Sequence, residues 1–100
     1  MIVRLDSAAD TELSTAAAYL DIQQVGVGDR FIAAVVLAGA QLQAFPNSGQ
    51  KLGRDVRRII IKHFPYQLIY RVEGDEIVIY AVAHQKQRPG YWRKRVGPLR

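Results

Sequence analysis

The sequence predicts an α+β fold in the order β-α-α-β-β-β, with a helical hairpin packed on one face of a small antiparallel sheet and residues 1–100 forming one domain. Three observations carry this reading. Three β-branched runs follow one another at residues 56–61, 68–72 and 77–82, separated by Phe64-Pro65-Tyr66 and by Gly74-Asp75. Two adjacent segments before Pro46 repeat their apolar residues at helical spacing. A chain of 100 residues, 49% hydrophobic, is long enough for one core and too short for two.

Taken in order, Met1 to Leu5 is rich in β-branched residues and predicts the first strand. Ser7, followed three residues on by Asp10, is an acidic variant of a capping box and predicts a helix start. Ala9, Leu13, Ala16, Ala17 and Leu20 then line one helical face, and their small size permits close approach of a second helix. Gly26 and Gly28 interrupt the pattern. A second helix is expected from an N-cap at Asp29 to Phe45, with Phe31, Val35, Ala38, Leu42 and Phe45 facing inward and Pro46 stopping it. Tyr19, Ile32 and Val36 fall off both inner stripes and leave apolar area uncovered.

In the second half, Ile59-Ile60-Ile61 leaves no polar face, so residues 56–61 are expected to form a central strand. Gly74-Asp75 has the chemistry of a two-residue II′ hairpin, because glycine enters positive φ freely. That loop sets Val72 opposite Ile77, Tyr70 opposite Ile79 and Leu68 opposite Ala81, all on the face the helices cover. Gln67, Ile69, Arg71, Val78, Tyr80 and Val82, continued by His84, make a mixed opposite face, where a functional site is expected.

Composition narrows the function. Mean hydropathy is −0.06, that of a soluble globular protein. There is no cysteine, which excludes disulfides and thiolate metal sites and fits a reducing compartment. No signal peptide is read, and the longest apolar run, residues 31–40, is too short to span a bilayer. A cytoplasmic protein with no membrane partner is the default expectation. Two histidines and scattered carboxylates give no metal-ligand spacing, the serines lack a neighbouring histidine and acid, and Gly26-Val27-Gly28 is no dinucleotide fingerprint, so no metal or cofactor is implied. Charge is unevenly placed. Residues 1–50 hold two basic and five acidic side chains, whereas residues 51–100 hold twelve and four. From His84 onward there are six Lys or Arg and no acid, interleaved with Tyr91 and Trp92. An anionic partner, nucleic acid or acidic protein, is expected there.

An ordered set of short motifs carries a resemblance: Gly28-Asp29-Arg30-Phe31, Phe45-Pro46-Asn47-Ser48-Gly49, Val56-Arg57-Arg58, Lys62-His63-Phe64-Pro65-Tyr66, Ile69-Tyr70-Arg71-Val72, Ala81-Val82-Ala83-His84 and Arg88-Pro89-Gly90-Tyr91-Trp92. The chain resembles the RelE/ParE superfamily of type II toxin–antitoxin toxins over nearly its whole length. The resemblance implies a toxin held inactive by a cognate acidic antitoxin, as a possible hetero-oligomer, and it implies one of two modes of action. ParE-like members bind DNA gyrase; RelE-like members cut messenger RNA on the ribosome without a metal.

The nuclease mode implies a base, cationic groups for the transition state and an acid, for which Arg57 or Arg58, Lys62, His84, Arg88 and Tyr91 are the candidates. RelE-like nucleases end in a compact basic segment with a terminal aromatic. The longer, Pro/Gly-kinked segment from His84 to Trp92 looks more like ParE and its plasmid-stabilisation relatives. On that reading Lys86, Arg88, Tyr91, Trp92, Arg93, Lys94 and Arg95 meet the target, while Tyr19, Ile32 and Val36 meet the antitoxin. Each has a plainer alternative. His84 can be a structural histidine at a strand end, and His63 a surface residue. Arg58 and Lys62 can be sheet-surface charges, and Arg71 can pair with a carboxylate across the hairpin or at an interface. Trp92 can anchor the C-terminal segment on the fold.

Overall fold

The computed structural model describes residues 1–98. The chain runs β1 (Ile2–Leu5), α1 (Ser7–Gln23), α2 (Val27–Ala44), β2 (Gln50–Lys51), β3 (Val56–Ile60), β4 (Tyr66–Glu73) and β5 (Glu76–His84), then a 3₁₀ turn at Arg93–Arg95. The five strands lie in the order β1-β5-β4-β3-β2. The α+β order and the helical hairpin on one sheet face are as the sequence predicts. Two features are not. The sheet is mixed, since β1 runs parallel to β5 while the remaining pairs are antiparallel. A two-residue strand, β2, also adds to β3. The central strand is β4. Residues 56–61 are not central, because among the described residues only Gln50 and Lys51 flank β3 on its outer side, and Ile60 is 66% exposed. The isoleucine run misleads because it ends where the chain turns through His63, which takes a positive φ of 73°.

Helix boundaries also shift by a residue or two. Asp6, not Ser7, caps α1, its Oδ2 accepting the Ala8 N–H at 3.3 Å. Gly26, at φ 90°, caps α2, and Asp29 lies inside the first turn, where a carboxylate suits the helix dipole. Gly28 sits where the two helices approach too closely for a side chain. Its N–H donates to Asp21 Oδ1 at 2.7 Å, and a Cβ there would strike the Ala17 carbonyl oxygen and Asp21. Phe31, Val35, Ala38 and Leu42 are buried against the sheet, while Phe45 is the α2 C-cap and is exposed.

The Gly74-Asp75 loop has the sign pattern of a II′ turn: Gly74 takes φ 62°, and Asp75 is not at positive φ. Val72 pairs with Ile77 and Tyr70 with Ile79, as expected. Beyond them a β-bulge intervenes. Ile69 pairs with Ala81 and Leu68 with Val82, so Tyr80 is the extra residue. This corrects the expected faces of Ala81, Val82 and His84. Val82 joins Leu68, Tyr70, Ile77 and Ile79 under the helices, whereas Ala81 and Ala83 join Val56 and Ile69 in a second cluster on the other face. His84 pairs with Tyr66 and stands edge-on to its ring at 5.0 Å, on the helix side.

Candidate functional site

The second cluster is closed by the C-terminal segment. Val56, Ile69, Ala81 and Ala83 are small or branched, and Trp92 packs into one cluster with them, 8% exposed. Trp92 is therefore an anchor for the segment. Gly90, at φ 79°, makes the bend that turns the chain back onto the sheet.

A second attachment comes from α1. β1 pairs with β5 only as far as Ile79, whose carbonyl accepts the Asp6 N–H at 2.8 Å. Past that point side chains take up β5 backbone groups. Val82 N–H donates to Glu12 Oε1 at 3.1 Å, and Arg95 Nη1 donates to the Tyr80 carbonyl at 3.1 Å. Glu12 also receives Arg95 in a fork, Nη1 to Oε1 at 2.8 Å and Nη2 to Oε2 at 3.1 Å, and Tyr91 Oη–H donates to Oε2 at 2.7 Å. The Arg95 guanidinium lies 5.0 Å from the Tyr91 ring centre. Burial foremost, then the hydrogen bond to Glu12, pushes the Tyr91 hydroxyl well above its usual range. The same carboxylate raises the Arg95 pKa through its hydrogen bond.

Further along, the chain is tied again at Gly97, whose carbonyl accepts from Arg71 Nη1 at 2.8 Å. Arg71 is buried, and its guanidinium contacts Glu73 Oε2 at 2.8 Å and Asp55 Oδ2 at 3.6 Å. Its main carboxylate is thus two residues along its own strand, on the same face, rather than across the hairpin. Tyr80 Oη–H donates to Glu73 as well. Burial alone would raise the Glu73 carboxyl, but hydrogen bonds from Tyr80 and Arg71 outweigh it and hold the pKa below its ordinary value. A lowered folded-state pKa contributes stability that is present above the unfolded carboxyl pKa, roughly 4.3, and is lost as pH falls through the folded value. Glu73→Gln should therefore flatten the acid limb of the stability profile. Chemical denaturation at a series of pH values checks this; an unchanged slope would refute it.

The sequence-derived candidates separate into distinct places. Lys86, Arg88, Arg93 and Lys94 are exposed along the segment, while Tyr91 and Arg95 point inward to Glu12. Of the nuclease candidates, Arg58, His84, Arg88 and Tyr91 line one polar cavity of about 200 Å³, bordered also by Arg93 and Trp92; Lys62 is not among its lining residues. Arg58 hydrogen-bonds Gln50 and Gln67, and Arg57 is spent on the carbonyls of Asn47 and Gly49. His84 Nδ1 accepts the Lys86 N–H at 3.0 Å, and exposed His63 forms the turn after β3. Ile32 and Val36 line an apolar groove of about 330 Å³ between α2 and β1, whereas Tyr19 borders a different one with Tyr66 and His84. Among the described residues, no three His, Cys, Asp or Glu side chains converge as a metal site, and no helix is long and apolar enough to cross a membrane. The residue that sequence reasoning passed over is Glu12. Its signal was present: it is the one charge at helical spacing from both Ala9 and Ala16 of the buried stripe.

Two helices on one face of a mixed five-stranded sheet, with a basic C-terminal segment pinned across the other face, define a small α+β class. Residues 3–89 match the family described as ParE toxin of type II toxin-antitoxin system, parDE, and the chain belongs to that family. Among solved structures it is similar to a chain of the chromosomal ParDE TA system from P. aeruginosa, with a TM-score of 0.74, 19% sequence identity, and coverage of 84% of this chain and 95% of that one. At that identity the likeness is one of fold. Comparison with curated proteins finds no match. The family match stops at Pro89, so Tyr91, Trp92 and the cations after them lie beyond it.

Proposed function

We propose that this protein is a ParE-like toxin that inhibits growth in the cytoplasm by binding DNA gyrase and is neutralised by a cognate acidic antitoxin. The observation that carries the reading is the pinned C-terminal segment. Trp92, Glu12 and Arg71 fix it at three points, so Lys86, Arg88, Arg93 and Lys94 stand out on an ordered scaffold with no acid between them. An ordered cationic surface loses little entropy on binding an anionic partner, and its attraction weakens with salt. Membership of the ParE family supports the choice of gyrase.

The test is supercoiling by purified gyrase in the presence of the protein. Arg93→Ala with Lys94→Ala should reduce inhibition at least tenfold while leaving thermal stability unchanged. Arg95 is left out of this variant because its removal would strip Glu12 of its counterion. Inhibition of ribosomal translation instead of supercoiling would replace this reading with a ribonuclease.

For the antitoxin, the proposed site is the groove between α2 and β1. Ile32 and Val36 flank it at 39% and 66% exposure, and it runs beside the outer edge of β1, which has no strand neighbour among the described residues. An apolar segment of the partner can bury these side chains and add a strand to that edge. Ile32→Asp and Val36→Asp together should abolish co-purification with the product of the adjacent reading frame, with the circular dichroism spectrum unchanged. Retained co-purification would remove the groove from the interface.

A further inference from the structure

We infer that the cavity between the open sheet face and the C-terminal segment is a phosphodiester-binding site, through which this protein holds a nucleic-acid backbone. The inference deepens the gyrase reading, on which it rests, by placing the toxin on the DNA that gyrase carries.

Three arginines line this cavity, Arg58 from β3 and Arg88 and Arg93 from the segment, and among the described residues no carboxylate does. The acids near the segment are engaged elsewhere: Glu12 with Arg95, Glu73 and Asp55 with Arg71, and Glu76 with Arg4. Among the described residues, no ion pair involves Arg58, Arg88 or Arg93. Cations of one sign in a concave, partly enclosed site focus the field and draw in an anion. Guanidinium forks match phosphate oxygens geometrically, and a cavity of about 200 Å³ has room for a phosphate with part of its sugar.

Arg93 is also positioned in advance. Its side chain lies over Gly90, where an added Cβ would collide with it, and its guanidinium carbon is 5.6 Å from the centre of the Trp92 ring. Trp92 is itself held in the second core cluster. A backbone glycine below and a fixed indole beside it thus restrict the one long cation of the cavity that follows the bend. Lys86 and Lys94, both exposed on the same segment, supply charge for neighbouring phosphates. Tyr91 and Trp92 line the same cavity, and aromatic faces beside cations suit the sugar and base of a nucleotide, which favours a nucleic-acid backbone over an acidic peptide.

Trp92 is the only tryptophan and lines the cavity, so its fluorescence reports occupancy. The experiment titrates the full chain with a twelve-base-pair DNA duplex, the RNA duplex of the same sequence, inorganic phosphate and hexaglutamate. Either duplex should change Trp92 fluorescence saturably, and which of the two binds more tightly identifies the source of the phosphodiester. Arg58→Ala, Arg88→Ala and Arg93→Ala should each weaken binding roughly tenfold and lower the salt slope by about one. Lys51→Ala and Arg54→Ala, which remove equal charge outside the cavity, should weaken it less than twofold. Gly90→Ala keeps the charge but displaces Arg93, so it too should weaken binding several-fold. Equal losses for cavity and control variants, unchanged binding by Gly90→Ala, or tighter binding of hexaglutamate than of either duplex would each overturn the site. The same variants in the supercoiling assay keep the two readings apart. Gyrase inhibition without cavity-dependent DNA binding sinks only this inference, and DNA binding without gyrase inhibition sinks only the gyrase reading.

Discussion

Phe31→Ala is expected to lower the free energy of unfolding by about 3–5 kcal/mol, the usual cost of emptying a buried aromatic site. Phe31 is fully buried on the inner face of α2 and meets two other rings, Phe64 edge-on at 5.1 Å and Tyr66 tilted at 4.9 Å. Such pairs add roughly 0.5–1.5 kcal/mol beyond area burial. The three rings come from α2, the turn after β3 and the start of β4. Tyr66 in turn contacts His84 at the end of β5, so the ring cluster braces the end of the sheet from which the basic segment leaves. Truncation should therefore loosen the His84 end of β5, detectable as faster amide exchange at Val82 and Ala83, besides shifting the urea midpoint. Phe31→Leu, which keeps most of the volume, should cost less than half as much. A loss below about 1 kcal/mol for Phe31→Ala would show that this ring is not the joint between hairpin and sheet.

The residues that announced themselves in the sequence did so through periodicity. Phe31, Val35, Ala38 and Leu42 repeat at helical spacing and are buried as a stripe; Val72, Tyr70, Ile77 and Ile79 alternate around a Gly-Asp loop and pair as that loop dictates. Where periodicity fails, the reading fails with it. The bulge at Tyr80 carries no glycine or proline to mark it, yet it exchanges the faces of Ala81 and Val82 and brings His84 to the helix side. The parallel pairing of β1 with β5 joins residues 74 positions apart, which local pattern does not encode, and β2 is only two residues long, too short for alternation to show. The candidate site was legible in part. The cationic run after His84 could be read directly, because charge is a local property, whereas the anchoring of Trp92 is only one of two readings the sequence allows, the other setting it against the target. The inward turn of Tyr91 and Arg95 could not, since it depends on Glu12, some eighty residues earlier in the chain.

Glu12→Ala should cost about 2–3 kcal/mol, between the small worth of an exposed ion pair and the several kcal/mol lost when a buried one is broken. Glu12 and Arg95 side chains are 20% and 24% exposed, which places the pair between those limits. The variant leaves three donors without their acceptor at once: Val82 N–H, the Tyr91 hydroxyl and the Arg95 guanidinium. Glu12→Gln keeps an acceptor for one or two of them and should lose about half as much. Because Glu12 holds the segment to α1, the alanine variant should also weaken gyrase inhibition although Glu12 itself contributes no positive charge. The hydroxyl of Tyr91 gives an independent check. Its pKa is raised above the ordinary value of 10.0, burial first and the Glu12 hydrogen bond second, so its contribution is complete below pH 10 and is lost as pH rises beyond. Tyr91→Phe should therefore be less stable than the parent at neutral pH by about 1 kcal/mol. The gap should narrow above pH 10, and Glu12→Ala, which removes the second cause and leaves the first, should flatten the alkaline limb only in part. A parent profile as flat as that of Tyr91→Phe above pH 10 would mean that the hydroxyl titrates freely and that Glu12 does not hold the segment in place.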